Sequence, residues 1–332
     1  MSDIDRIAGW FIERARLGVV SPSTTLTSLL EDYQGRRIGD VFQGSVRKGA
    51  LGEPLTIENF APINLSFPSA KSAEQAFLSE LRLVFGIGHM HDQQLQKNGY
   101  TTIPSLLDHP RWKEAASTLL AYWGRPLDPN LVYKTLYYWL PSRHPLFLQL
   151  VSLVPQERLL FFDLETLGLG GTPIILAALA QLNAEGIRIT QYLARSLDEE
   201  PALLDQIAQV IAETSLLISY NGKAFDWTYL RERFAYYGLQ FTHAPMHIDL
   251  LHHARRAFHD CLPNMRLSML EGHLGIQRTE DLPSEAVPEF YSTYLETGNP
   301  GPLVPIVNHN RQDVQTLALL LGHLLSHLDD AR

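Results

Sequence analysis

Apolar positions along this chain change their spacing near residue 158. Upstream they recur mostly every three or four residues, the period of a helix face; downstream they form short continuous runs closed by glycine or asparagine, as buried strands do. The stretch from Asp3 to about Arg16 reads as a helix, and GRRIGDVFQGSVRKG with GEPLTIENF as short strands broken by glycine turns. Ser72 to Val84 is a further helix, and FGIGHMHDQQLQKNGYTTIPSLLDHPRWKEAASTLL continues as helices punctuated by a GIG turn and an NG turn. The aromatic-rich LVYKTLYYWLPSRHPLFLQLV reads as a packing seam before a second domain. From Arg158 on, LLFFDLET, TPIILAALAQLN and GIRITQYLA predict three consecutive strands in an antiparallel meander. A helix from Pro201 to Glu213, the strand LLISYN, the helix WTYLRERFAYYG and the short APMHIDLL then alternate, which is the order of an α/β fold, and a long helix LVPIVNHNRQDVQTLALLLGHLLSHL closes the chain.

One of these strands carries an anomaly. LLFFDLET is apolar enough to be covered on both faces, yet it holds Asp163 and Glu165, which period-two alternation puts on the same side. Two carboxylates so placed repel and lose hydration, so a cation or strong donors must sit between them.

Composition narrows the setting. The 332 residues are 45% hydrophobic and 19% charged, as in an ordinary globular protein long enough for two domains. No apolar run approaches the roughly 18 to 20 residues that span a bilayer. The acidic, mixed N-terminus MSDIDRIAGWFIERARLGVV lacks the pattern of a secretion signal, and Cys261 is the sole cysteine, which excludes an intrachain disulfide and a thiolate zinc cluster. A reducing cytoplasm is expected. Net charge is -9, distributed as +1 before Pro155 and its remainder of -10 afterwards. That acidity counts against tight nonspecific nucleic-acid binding, although bound divalent cations would offset several acids.

Further acids are placed to join Asp163 and Glu165. ISYNGKAFD sets Asp226 just beyond a strand and turn, and VNHNRQD sets His309 and Asp313 one helical turn apart on the same face. An oxygen-rich set of this kind suits Mg²⁺ or Mn²⁺ and not zinc. Two such ions about 4 Å apart can align a water and neutralise both attacking and leaving oxygens of a phosphodiester. Phosphodiester hydrolysis is the chemistry these residues suggest.

DLET, SYNGKAFD and HNRQD resemble the three exonuclease motifs of the DEDD branch of the ribonuclease H-like superfamily. RLSMLEGHLGI, TEDLPSEAVPEFYSTYLETGN and NHNRQDVQTLALLL extend the likeness to the YprB-like ribonuclease H-like domain, over roughly Arg158 to Leu325. The resemblance implies a mixed sheet, an antiparallel meander plus parallel strands flanked by helices, over residues 156–328. A helical part (71–155) and an α+β N-terminal region (1–70) would precede it. It implies a 3′-5′ exonuclease acting on a single-stranded DNA or RNA 3′ end, with Asp163, Glu165, Asp226 and Asp313 ligating two Mg²⁺ or Mn²⁺ ions. His309 would orient or deprotonate the attacking water. Its position four residues before Asp313 is the spacing of tyrosine-type members, many histidine-type ones using five, so Asn308 or Asn310 can share that role. A structure-specific endonuclease of ribonuclease H type and a noncatalytic nucleic-acid-binding adaptor are the competing readings.

Other features are secondary. Asp249 in MHIDLLHH reads as structural, at a strand end, and LGLGG (glycines 168, 170, 171) as a hairpin turn, because Pro173 replaces the third dinucleotide glycine and strands follow. His252, His253, His259 and His273 fit no zinc spacing. FGIGHMHDQQLQKNGYTTIPSLL resembles a helix-hairpin-helix element, which would present backbone N–H groups at Gly86 and Gly88 to a phosphate, and reads equally as a plain helical hairpin with Ile87 in its core. Asn221 and Lys223 beside Asp226 are further candidate contacts. Lys97 and Arg111 read first as solvated surface and second as phosphate contacts, and Arg255, Arg256 and Arg266 are candidate backbone contacts from their closeness in sequence to the acids.

Overall fold

The computed structural model describes residues 22–328 apart from 47, 169 and 279–281. The helix expected between Asp3 and Arg16 lies outside the described residues. After α1 (Pro22–Asp32) come β1 (Gly44–Val46), β2 (Leu55–Ala61), α2 (Ala70–Leu78), α3 (His89–Lys97), α4 (Lys113–Trp123) and α5 (Pro129–Trp139). Then follow β3 (Leu159–Thr166), β4 (Ile174–Asn183), β5 (Gly186–Leu193), α6 (Glu200–Ala212), β6 (Leu216–Ser219), α7 (Asp226–Tyr236), β7 (Met246–Asp249), α8 (Leu250–Phe258), α9 (Leu267–Leu274), α10 (Val287–Thr297) and α11 (Leu303–Ser326).

Among the described residues the strands form one sheet of seven, in the order β1-β2-β5-β4-β3-β6-β7. The expected meander is present: β3, β4 and β5 pair antiparallel, closed between β4 and β5 by Asn183 opposite Gly186. β6 and β7 add in parallel beside β3. This is the α/β mixed sheet flanked by helices that the sequence predicts. The glycine-rich segment after Thr166 is the β3–β4 connection, and Gly168, Gly170 and Gly171 all take positive φ there, where a side chain would be strained. The strands β1 and β2 extend the same sheet, β2 pairing antiparallel with β5 from Leu55↔Leu193 to Ala61↔Ile187.

β3 lies inside the sheet, and its first four residues are fully or nearly fully buried. Its parallel partner β6 stops earlier than β3 does, since the last matched pair is Phe161↔Ile218. Asp163 and Glu165 therefore stand beyond the carboxyl end of β6, at the crevice where open α/β sheets bind ligands. α11 crosses β3, β4 and β5, and Gln191 on β5 fixes it by donating to the Val307 carbonyl (2.9 Å) and to Asn310 Oδ1 (3.0 Å). Among the described residues, no helix is long and apolar enough to cross a membrane.

The aromatic seam of the sequence reading needs a correction. Phe147 is buried, and α5 buries Val132, Thr135 and Leu136, but Tyr137, Tyr138 and Trp139 face solvent. The inward stripe passes from Leu136 to Leu140, so the rings of the last turn fall outside it.

Candidate functional site

Three of the four candidate acids are held by partners of their own. Where β6 has ended, the Leu164 N–H of β3 has no strand partner on that side and donates to Asp226 Oδ1 (3.2 Å), the first residue of α7. The loop delivering Asp226 hangs on Asp249 at the end of β7, whose carboxylate accepts from the backbone N–H groups of Asn221 (2.7 Å), Lys223 (3.1 Å) and Leu251 (3.1 Å). Asp249 thus has the structural task expected of it. Asn221 bends the loop with φ of 61°, a left-handed conformation that asparagine tolerates. Gly222 has no room for a side chain: a Cβ there would meet Ser219 Oγ at 2.4 Å and Cβ at 2.6 Å, and Asp226 Oδ2 at 3.2 Å. Gly222→Ala is expected to cost about 1–3 kcal/mol through this overpacking. A urea midpoint equal to that of the parent would contradict it.

From the other side, α11 supplies Asn310, which donates to Asp163 Oδ2 (2.7 Å), and places His309 and Asp313 on one face. Arg278, in the segment after α9, reaches in to donate to Asp313 Oδ1 (2.8 Å) and to Glu271 Oε2 (2.7 Å), with its Nη2 also 2.8 Å from His309 Nδ1. A guanidinium only donates, so His309 accepts at Nδ1 and presents Nε2–H toward Asp313 Oδ2, 3.5 Å away. In this arrangement the imidazole lone pair is used by Arg278, and the ring orients Asp313. Sequence reasoning missed Arg278 and the buried Glu271 behind it. A single arginine in an inter-helix segment carries no spacing signal, and only their shared contacts identify the pair.

The four carboxyls feel one another. Burial lifts Asp163 well above the usual carboxylate range, and the charges of Asp313, Asp226 and Glu165 raise it further, against the Asn310 hydrogen bond. Glu165 is raised the same way by burial, then Asp313 and Asp226, with Arg278 opposing. Burial pushes Asp226 up to about 7 despite its backbone hydrogen bonds. Asp313 is raised by burial, while His309 and Arg278 pull it back. Such a cluster is unfavourable without positive charge, and its oxygen-only donors suit hard divalent cations. Among the described residues, no group of three or more acid, histidine or cysteine side chains is arranged to hold a metal ion. Asp163, Asp226 and Asp313 each accept from a partner of their own, Asn310, the Leu164 amide and Arg278.

The sign of the titration can be tested. A carboxyl whose folded pKa lies above its unfolded one destabilises the fold increasingly as pH rises between the two values, here from about 4 to 7 for Asp226. In chelator, Asp226→Asn is therefore expected to be more stable than the parent by about 2–4 kcal/mol at pH 7, and equal to it below pH 4. The comparison cancels the opposite trend of His247 and His253, which burial holds down to about 3 in both proteins. A gap between variant and parent that does not grow with pH would refute the assignment.

The remaining sequence candidates are dispersed. Lys223 lies in the loop before Asp226, its Nζ 5.9 and 5.6 Å from the ring centres of Tyr133 and Tyr137. Gly86 takes φ of 84°, close to the Trp112 ring, and Gly88 caps α3. Arg111 stacks on Trp112 at 4.5 Å. Arg256 lines a cleft of about 620 Å³ with Arg82, Arg143 and His144, and none of the four carboxyls borders it.

Comparison with known proteins adds a family. A model described as the RNase_H superfamily matches residues 160–325. The uncharacterized protein YprB of Bacillus subtilis (strain 168) is 34% identical over 175 residues, which are 51% of this chain and 42% of that protein. This chain thus spans less than half the length of that relative. Among solved structures, the family B DNA polymerase from the hyperthermophilic archaeon Pyrobaculum calidifontis is 19% identical with a TM-score of 0.39, over 52% of this chain and 25% of the polymerase.

Proposed function

This chain belongs to the ribonuclease H superfamily, whose model matches residues 160–325, and from that premise we propose that it is a metal-dependent nuclease of the DEDD 3′-5′ exonuclease type. One observation carries the reading. Asp163 and Glu165 from β3, Asp226 from the start of α7 and Asp313 from α11 lie within electrostatic reach of one another, Glu165 buried and the three aspartates partly buried, at the open end of a parallel strand pair. The substrate class is nucleic acid, entered at a single-stranded 3′ end.

The four carboxylates would hold Mg²⁺ or Mn²⁺, two ions in all. When bound, these ions supply charge neutralisation on the phosphodiester and a more acidic water. The chain's own residues set the geometry. Asn310 fixes the Asp163 carboxylate, the Leu164 amide fixes Asp226, and Arg278 with His309 fixes Asp313. His309 serves as an orienting group in this scheme, because its Nδ1 already accepts from Arg278. Residues 156–328 carry the chemistry in the proposed division, 71–155 contribute a helical part, and 1–70 a mixed N-terminal part. The lone, exposed Cys261 agrees with a reducing cytoplasm.

End-labelled single- and double-stranded DNA and RNA, incubated with Mg²⁺ or Mn²⁺ beside circular and 3′-blocked versions, test the proposal. Stepwise shortening from free 3′ ends only is expected. Equal cutting of circular or blocked strands would make the protein an endonuclease, and binding without any cleavage would make it an adaptor.

A further inference from the structure

We propose that the exposed aromatic residues Phe85, Trp139, Tyr138 and Tyr137 form a stacking platform for the bases of single-stranded nucleic acid, linking the GIG turn to the loop that carries Asp226. This deepens the nuclease reading and rests on it only for what happens to the strand after binding.

Four large rings stand in solvent where a folded chain would ordinarily bury them: Phe85 is 75% exposed, Tyr138 76%, Tyr137 63% and Trp139 38%. They are connected. Phe85 lies next to Gly86 and packs edge-on against Trp139 with 6.0 Å between centres, and Trp139 packs against Tyr138 at 4.7 Å. At the other end, Tyr137 faces Lys223 Nζ at 5.6 Å, three residues before Asp226. The rings therefore wrap the last turn of α5, with Phe85, Trp139 and Tyr138 in contact toward the GIG turn and Tyr137 directed toward the loop that carries Asp226. Held edge-on to one another, Phe85, Trp139 and Tyr138 leave ring faces available to a third π-system.

Charge selects the occupant. Although the chain carries -9 overall, the stretch from Pro129 to Gln156 contains no acid, while Lys134 and Arg143 stand exposed in it. Lys134 precedes Tyr138 by one helical turn, so cation and ring share a face of α5. Lys223 closes the row beside the catalytic loop. Aromatic faces interleaved with cations are the means by which proteins hold single strands without reading sequence, the bases stacking while the phosphates meet the charges. A duplex hides its base faces and cannot use such a platform.

The test measures binding in EDTA, so that its outcome is independent of cleavage. Fluorescein-labelled oligothymidine and oligouridine of twelve residues, and a duplex of equal length, are titrated with full-length protein by anisotropy. Tyr137→Ala/Tyr138→Ala is expected to weaken binding of both single strands by about 10- to 100-fold. Duplex binding and the thermal melting curve should match the parent, and the slope of log affinity against log salt should not change, because no charge is lost. Tyr138→Phe, which keeps the ring, should bind as the parent does. Unchanged single-strand affinity in the double variant, equal losses for single strand and duplex, or no single-strand binding by the parent would each overturn the proposal. So would a parent that dimerises through this patch, shown by sedimentation, with a monomeric double variant that still binds the strand. A difference between the two oligonucleotides decides between DNA and RNA as the source of the strand.

Discussion

Asp163→Asn is expected to lower single-turnover phosphodiester cleavage by ~10³-fold or more in Mg²⁺ or Mn²⁺, while nucleic-acid affinity measured in chelator stays within about twofold of the parent. Asp163 shares its face of β3 with Glu165, and its Oδ2 accepts from Asn310. An asparagine side chain retains an oxygen for Asn310, so the substitution changes charge and leaves the local frame. Removing a buried carboxylate that three neighbouring acids repel should leave stability equal or higher. Loss of rate together with loss of stability would therefore point to misfolding, which separates damage to the fold from damage to the chemistry. A metal-dependent rate within about tenfold of the parent would remove Asp163 from the site, since losing a single transition-state donor ordinarily exceeds that.

Glu200→Ala should be the most damaging single change to the fold, at about 3–5 kcal/mol. Glu200 is 0% exposed and accepts from Arg233 Nε (2.7 Å), from the Ile174 amide (2.9 Å) and from the Tyr237 hydroxyl (2.9 Å). Its partner Arg233 also donates to the Gly171 carbonyl (2.8 Å), and Tyr229 donates to the Gly168 carbonyl (2.7 Å). The pair thus ties α6 and α7 to the glycine-rich connection after β3. Truncating Glu200 leaves a buried guanidinium without its carboxylate, a larger penalty than removing both charges together. Urea unfolding of Glu200→Ala, of Arg233→Met and of the double variant measures this, and the double variant should recover part of the loss. A shift of less than about 1 kcal/mol in Glu200→Ala would show that water or another acceptor relieves the arginine.

The sheet was legible because its strands carry an unambiguous pattern. The apolar runs of β3, β4 and β5, stopped by glycine and asparagine, predict the meander and its short connection at Asn183 and Gly186. The candidate acids were legible in part from local spacing: alternation on β3 puts Asp163 and Glu165 on one side and helical spacing on α11 pairs Asp313 with His309, while Asp226 was read only from its place beyond a strand and turn. What holds them was harder to read. Arg278, backed by Glu271, meets Asp313 from a separate element, and nothing in local spacing announces a contact between segments 35 residues apart. The burial of the aromatic stretch was overstated for a related reason: hydrophobicity shows that Tyr137, Tyr138 and Trp139 prefer an apolar contact, but only the register of α5 decides which of them receive one. The attachment of β1 and β2 to β5 was equally invisible, being a pairing over more than a hundred residues of chain.

The hydrogen bond from the Leu164 amide to Asp226 makes one proton a gauge of the whole cluster. Wherever that carboxylate is seated, the amide is shielded from deuterium; wherever it swings out, the strand edge opens at a single residue and the label enters. A spectroscopist can thus watch the seating of Asp226 at Leu164 in resting protein, without adding a strand to cut.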